Sequence, residues 1–220
     1  NMKFLNFNKV LCLSPHPDDV EYSMGGTVIK FKDTHFDILC LTQGGDCDET
    51  TSSNRLDEVK NSWDAAKPYP RSVRQKYNWA LHFSKHKFLK DLGDDEWINF
   101  IETNFTNKEK YDCIITPSEI DSHFEHRMVS SFSWPLTRIK GISLIEYYSP
   151  STLEKWTPNM FIDITNVYDT KLNMLKQFKS QQHRSYFSRE TIDGFHTNFQ
   201  CSKKGYSMVE RFNLKQLFVA

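Results

Sequence analysis

The chain has 220 residues, with 28 basic and 28 acidic side chains, so its formal charge is zero at neutral pH. That balance gives no support to nucleic acid or an anionic membrane as a partner, since both call for a basic surplus. No run of about 18 apolar residues is present to span a bilayer. The length suits a single domain over residues 1–220 with one main core.

Asn1 precedes the first methionine and is set aside; Met2-Lys3-Phe4 opens neither an apolar run nor a small-residue cleavage site. The five cysteines, Cys12, Cys40, Cys47, Cys113 and Cys201, are odd in number, scattered and without a CxxC pair. Cys12, Cys40 and Cys113 sit in apolar runs, where cysteine acts as a small buried hydrophobe. Reduced thiols in a cytoplasmic protein are therefore expected, with Cys47 an unreactive loop thiol.

In chain order, Val10-Leu11-Cys12-Leu13, Phe36 to Leu41 and Cys113-Ile114-Ile115 are near-continuous apolar stretches of strand length. Continuous runs suit strands covered on both faces. Helical spacing lies between them: from about Gly25 through Val28, Ile29 and Phe31; from about Ser53 to Ala66; and from about Asp94 to Phe105. The basic segment Lys67 to Lys76 reads as a solvated loop. Ser143 to Tyr148 and Met160 to Ile164 read as two further strands, and Tyr168 to Gln182 as a helix. Residues 183–220 are mixed in character and are expected to form a variable surface subregion. Strand–helix alternation of this kind predicts an α/β layered fold with a mainly parallel sheet.

Ligands of such sheets collect at the carboxyl ends of the strands. Ser14-Pro15-His16-Pro17-Asp18-Asp19 leaves the first strand there, and Thr116 through His126 leaves the Cys113 strand in the same sense. A catalytic zinc needs three nitrogen, oxygen or sulfur ligands and an open position. His16 and Asp19 are spaced to supply two ligands, leaving Asp18 free as a base. Ser122-His123-Phe124-Glu125-His126 is the best source of a third, with one histidine on the metal and the other free as an acid or electrophile. Taken singly, each cluster has a plainer reading: an aspartate-rich helix cap for the first, and solvated loop histidines for the second. Gly25-Gly26 points to a close backbone approach, to a ligand or to another element.

Pro15-His16-Pro17-Asp18-Asp19-Val20-Glu21 followed by Met24-Gly25-Gly26-Thr27 resembles the signature of the PIG-L/LmbE-like family of metal-dependent N-deacetylases. Asp121-Ser122-His123-Phe124-Glu125-His126 resembles that family's Asp-x-His-x-Asp-His motif, and Arg55-Leu56-Asp57-Glu58 its Arg-x-x-Glu helix. Pro158 to Thr165, Lys171 and Ser180-Gln181 resemble its later half, so the likeness covers roughly residues 8 to 182. It implies a Rossmann-like fold in which helices sandwich the sheet. It also implies a zinc ion, or another divalent transition metal, held by His16, Asp19 and His126.

By the same resemblance Asp18 is the general base, and His123 stabilises the oxyanion and protonates the leaving amine. Arg55 lines the substrate pocket. Glu125 stands where the family usually has Asp, and is expected to hold His123 in orientation. The implied reaction is removal of an N-acyl group, acetyl above all, from a small-molecule amino sugar. Two rivals remain open: a non-heme iron enzyme on the same His/Asp/His set, and a non-catalytic module gripping a phosphate or nucleotide-sugar at the helix after the first strand. Tyr69, Trp79, Trp134 and Trp156 could stack on a sugar ring, although core packing is the commoner fate of such side chains.

Overall fold

The computed structural model describes residues 2–44, 49–67, 77–138, 140–199 and 207–218, with the backbone alone at 49–54. Cys47, Cys201, Tyr69 and all but Lys67 of the basic segment lie outside the described residues. The elements are β1 (Lys9–Ser14), α1 (Asp19–Lys30), β2 (His35–Cys40), α2 (Glu49–Ala65), β3 (Trp79–Phe83), α3 (Asp94–Ile101), β4 (Cys113–Pro117), α4 (Phe124–Thr137), β5 (Ser143–Tyr147), β6 (Met160–Asp163), α5 (Tyr168–Leu175), α6 (Arg189–His196), β7 (Thr197–Asn198) and β8 (Ser207–Gln216).

The sheet runs in the order β3-β2-β1-β4-β5-β8-β6, with the two-residue β7 paired to β8. The first five strands in that order are parallel, and β8 is antiparallel to both β5 and β6. The apolar runs become strands because helices cover both faces. Val10 and Cys12 enter one core with residues of α1, α2 and α5, while Leu11 and Leu13 enter the other with residues of α3 and α4. That alternation is the period-two geometry of a strand serving two layers. Cys12, Cys40 and Cys113 are buried and unbridged.

Several boundaries differ from the sequence reading. Helix α1 begins at Asp19, six residues before Gly25, and so carries the second carboxylate of the turn in its first turn. Gly26 serves packing: a Cβ there would meet Ile164 Cδ1 at 2.8 Å and Glu210 Oε1 at 3.0 Å. Helix α5 stops at Leu175, and Lys179–Gln181 forms a separate 3-10 turn. Helix α3 passes at Ile101 into a π-helical turn over Glu102–Thr106.

The largest difference concerns residues 183–220, expected on the surface. Ser207–Gln216 instead forms β8, inserted between β5 and β6, with Phe212 wholly buried. Its charged and amide residues, Glu210, Arg211, Asn213 and Lys215, masked the strand pattern. Glu210 is buried with partners: its carboxylate accepts from Gly26 N at 2.8 Å, Thr27 N at 2.6 Å and Thr27 Oγ1 at 2.6 Å, and it pairs with the Lys171 ammonium. Both side chains of that ion pair are fully buried, so removing one partner strands the other charge. Lys171→Ala is expected to destabilise the protein by about 3–5 kcal/mol, read as a shift in the urea unfolding midpoint.

At the start of β2, Asp37 accepts from Tyr111 Oη at 2.6 Å, sits 3.0 Å from Lys9 Nζ, and is approached by His82 Nε2 at 2.9 Å and His35 Nε2 at 3.3 Å. Burial alone would raise its carboxyl, but these hydrogen bonds outweigh burial and hold it far below the ordinary 3.8. A depressed carboxyl contributes stability that is complete above its unfolded-state pKa and is lost as pH falls below it. Asp37→Asn is therefore expected to flatten the fall in stability between about pH 5 and pH 2, measured by denaturant titrations across that range.

Candidate metal centre

The chain order reverses at β1: β2 and β3 lie on one side of it, β4 and β5 on the other. Beyond the carboxyl ends of two such neighbouring strands, their connections part and leave a crevice. The connection after β1 is the His16-Pro17-Asp18-Asp19 turn, and the one after β4 leads to His123 and His126 on α4. Both polar clusters of the sequence therefore enter one crevice.

The first turn is pinned by side chains that bond its backbone. Ser14 Oγ donates to His16 O at 2.7 Å, Thr42 Oγ1 donates to Pro15 O at 2.8 Å, and His16 N donates to Asp19 Oδ2 at 2.7 Å. Asp18 takes φ 131°, a conformation that costs a non-glycine residue of the order of 1–3 kcal/mol. Arg55 offsets that strain: its buried guanidinium donates to Pro17 O at 3.0 Å, Gly44 O at 2.9 Å and Asp18 Oδ2 at 3.4 Å. Gly44 has φ 78°, and a Cβ there would run into the guanidinium. Arg55 lies at the edge of the cleft and ties its own helix to the backbone at Pro17 and Gly44.

Asp19 lies between two imidazoles. Its Oδ2 is 3.1 Å from His16 Nδ1 and its Oδ1 is 3.2 Å from His126 Nε2. His123 adds a third ring, stacked on His126 at 4.9 Å and edge-on to His16 at 4.6 Å. One ring nitrogen from each of the three histidines lies within 4.8 Å of the others. Tetrahedral zinc with bonds of about 2.0–2.2 Å places its ligand atoms about 3.4 Å apart. The two Asp19–imidazole distances, 3.1 Å to His16 on one oxygen and 3.2 Å to His126 on the other, come close to that spacing, and the two-nitrogen, one-oxygen chemistry suits zinc or a similar divalent ion. His123, exposed at the cleft, is also near enough to contribute.

The remaining nitrogens of His16 and His126 are also held. His126 Nδ1 is 3.0 Å from Asp121 Oδ2, which accepts from Ser149 Oγ at 2.7 Å, while Asp121 Oδ1 accepts from His123 N at 2.7 Å. The sequence reading gave Asp121 no role, although it heads the second motif. Glu125 is a correction: it was expected beside His123, but its Oε2 lies 2.5 Å from His16 Nε2. No hydrogen bond joins Glu125 to His123 among the described residues. The glutamate points along α4 across the crevice, which brings it to the first cluster.

Charges in the cluster support one another. Burial opposes ionisation of His16 and His126, but Asp19 and the carboxylates behind the rings raise them to about 9 and about 10. Burial likewise opposes the Asp19 carboxylate, yet the two imidazoles hold it well below its ordinary value. Burial pushes Asp18 up to about 7 against the pull of Arg55. His123 moves the other way, lowered by burial and by the two neighbouring rings.

A cleft of about 350 Å³ opens over the cluster, lined by Asp18, His123 and Arg55 together with Tyr22, Gln181 and Tyr186. That volume suits a small organic ligand. None of the tryptophans proposed for sugar stacking reaches it. Trp79 packs on Trp63 at 5.2 Å, Trp156 is buried with its Nε1 donating to Glu146 Oε2 at 3.0 Å, and Trp134 lies partly exposed on α4. Tyr22 and Tyr186, which the sequence did not single out, supply the aromatic lining instead.

The fold and its cleft define an α/β protein whose crevice gathers histidines and carboxylates from two strand ends. The chain belongs to the PIG-L family described as GlcNAc-PI de-N-acetylase, which matches residues 11–136. It is 26% identical over 216 aligned positions to the diacetylchitobiose deacetylase of Thermococcus kodakarensis, covering 82% of this chain and 73% of that protein. Its structure is similar to the N,N'-diacetylchitobiose deacetylase of Pyrococcus horikoshii complexed with an inhibitor, with TM-score 0.67, 22% identity, and coverage of 97% of this chain and 85% of that one. It is similar in fold, too, to GalB, the 4-carboxy-2-hydroxymuconate hydratase of Pseudomonas putida KT2440, with TM-score 0.69, 14% identity, and coverage of 97% and 98%. One fold thus carries a deacetylase and a hydratase, and the residues of the cleft must decide between chemistries.

Arg55→Ala removes hydrogen bonds from a buried cation to two carbonyls and a carboxylate. It is expected to lower stability by at least about 1.5–3 kcal/mol, with Arg55→Lys failing to restore it because a single ammonium cannot span the three acceptors. Chemical denaturation of the two variants checks both statements.

Proposed function

We propose that the protein is a metal-dependent hydrolase that removes an N-acetyl group from an amino sugar or sugar conjugate. The observation that carries this reading is the meeting of His16, Asp19 and His126 under an open cleft, with a further carboxylate, Asp18, beside them. Membership of a deacetylase family and the similarity to diacetylchitobiose deacetylases support the acetylated sugar as substrate. Burial and the absence of bridges at Cys12, Cys40 and Cys113 support a reducing, cytoplasmic setting.

In this reading His16, Asp19 and His126 hold a zinc ion, and Arg55 keeps the turn that carries the first two in place. When bound, such an ion supplies a Lewis acid that polarises a carbonyl and makes water acidic near neutral pH. Asp18 removes the proton of the attacking water, a step worth about 100- to 10,000-fold for a well-placed base. His123, at the same cleft, donates an N–H to the oxygen on which negative charge develops. The proton taken by Asp18 is the one the departing nitrogen needs, and His123 passes it on. Water thereby adds its oxygen to the acetyl carbonyl carbon as the C–N bond breaks, and both of its protons end on the departing nitrogen, giving acetate and an ammonium group with no other reactant required.

The anion-binding rival is disfavoured by the site's own charges. Asp18, Asp19 and Glu125 all face the cluster at the start of α1, and carboxylates there repel phosphate unless a cation intervenes. An iron enzyme would use the same donor set, and metal analysis with a test of oxygen dependence separates it from a hydrolase.

The reading makes a graded prediction. Asp19→Ala and His126→Ala lose zinc and activity together, whereas Asp18→Asn retains zinc at one ion per chain and loses turnover by at least about 100-fold. The assay is release of acetate and free amine from a panel of N-acetylated sugars, run beside elemental analysis. Wild-type turnover by the Asp18 variant would remove it as the base, and turnover undiminished by complete chelation would remove the metal.

A further inference from the structure

Glu125 occupies the place where the related motif has aspartate, and its extra methylene carries the carboxylate to the opposite strand end. Oε2 lies 2.5 Å from His16 Nε2, and Oε1 accepts a hydrogen bond from Leu89 N at 3.3 Å. Leu89 is itself fixed: its side chain is wholly buried and its carbonyl accepts from Trp97 Nε1 at 2.8 Å. The carboxylate is therefore held between a rigid backbone amide and an imidazole.

An ionised carboxylate only accepts hydrogen bonds, so the nitrogen facing Glu125 carries hydrogen, and the nitrogen facing Asp19 is the one left to give up its hydrogen to a metal. Nε2 of His16 is the first of these. Nδ1 then remains on the side of Asp19 Oδ2, 3.1 Å away, where His126 Nε2 also faces Asp19. His16, half-buried, and His126, buried, thus turn different nitrogens inward, Nδ1 from His16 and Nε2 from His126, and each has its outer nitrogen against a carboxylate. A carboxylate on the outer nitrogen is the usual means of fixing the tautomer and rotation of a metal-bound histidine.

We infer that Glu125 is the positioning residue for His16, locking its ring with Nδ1 toward Asp19 and His126. The inference rests on the reading of that cluster as a metal centre, and it assigns Glu125 to His16 rather than to the catalytic His123. It also accounts for the residue type. Glu125 meets two donors, one on each oxygen. A glutamine has a single oxygen, so turning it to His16 sets its NH2 against the Leu89 N–H. An aspartate keeps the charge but is too short to reach His16 from the same backbone position.

The test compares wild type with Glu125→Gln, Glu125→Asp and Glu125→Ala. Zinc affinity is measured by competition with a chromogenic chelator, and the histidine side chains are followed by nitrogen-15 NMR in zinc-loaded and zinc-free protein. The glutamine and aspartate variants are expected to bind zinc about 10- to 100-fold more weakly, with melting temperatures of the zinc-free proteins confirming that each is folded. Should Glu125→Ala fail to fold, the near-isosteric glutamine variant still decides. In the wild type, zinc is expected on Nδ1 of His16. The His16 Nε2–H resonance, sheltered by its carboxylate, should be visible even without metal and be lost in the aspartate variant.

Wild-type zinc affinity in both the glutamine and aspartate variants, or zinc on Nε2 of His16, overturns the assignment. A wild-type chain that binds no zinc but shows the sheltered Nε2–H overturns the metal centre while leaving Glu125 as the partner of His16. Absence of that resonance from the zinc-free wild type overturns the pairing itself.

Discussion

One carboxylate, Asp19, joins the two halves of the cleft. It sits in the first turn of the helix after β1 and meets an imidazole from its own turn on one oxygen and an imidazole from α4 on the other. In a buried site such an arrangement is favourable only when every charge has a partner. Here the partners extend outward, with Asp121 and Ser149 behind His126, and Glu125 and Leu89 behind His16. The donors that could hold a divalent ion are thus preorganised by the protein alone, and a preorganised site spares the reorganisation that a reacting ligand would otherwise demand.

The position of Asp19 depends in turn on helix α1, and α1 depends on the last strand. Glu210 of β8 accepts from the backbone of Gly26 and Thr27, and its own charge is balanced by Lys171 from α5. Gly26 permits this because any side chain there would collide with Ile164 and with Glu210. A segment far from the cleft in sequence therefore fixes the axis of the helix whose first turn supplies a candidate ligand. At the other end of the turn, Arg55 binds Pro17 and Gly44 and holds Asp18 in a strained conformation. Backbone strain of this kind persists only where surrounding contacts over-determine it.

Much of this was legible in the chain. The apolar runs at Val10–Leu13, Phe36–Leu41 and Cys113–Ile115 announced buried parallel strands, because only a strand covered on both faces can use every residue as a hydrophobe. The clustering of His16, Asp18 and Asp19, and of His123 and His126, marked the two strand exits whose polar groups meet in the cleft, because both follow apolar runs that read as neighbouring strands. Strand β8 was obscured by its mix of charged and apolar residues. Glu210 reads as solvent-facing until its four hydrogen-bond donors, drawn from two distant segments, are assembled around it. The tryptophans misled for the reverse reason, since their size suits a sugar face and a protein core equally well.

What the sequence determined by itself was the presence of the apolar strands β1, β2, β4 and β5 and the identity of the groups that follow β1 and β4, both of which are local properties of residue type and spacing; β3, at Trp79–Phe83, was not among the strands it marked. Tertiary structure alone decided which groups face one another. Glu125 turned from its neighbour His123 to the remote His16, and Tyr22 and Tyr186 came together at the lining of the cleft. Contacts between residues more than a hundred positions apart follow from strand order and helix axis, which no local pattern encodes.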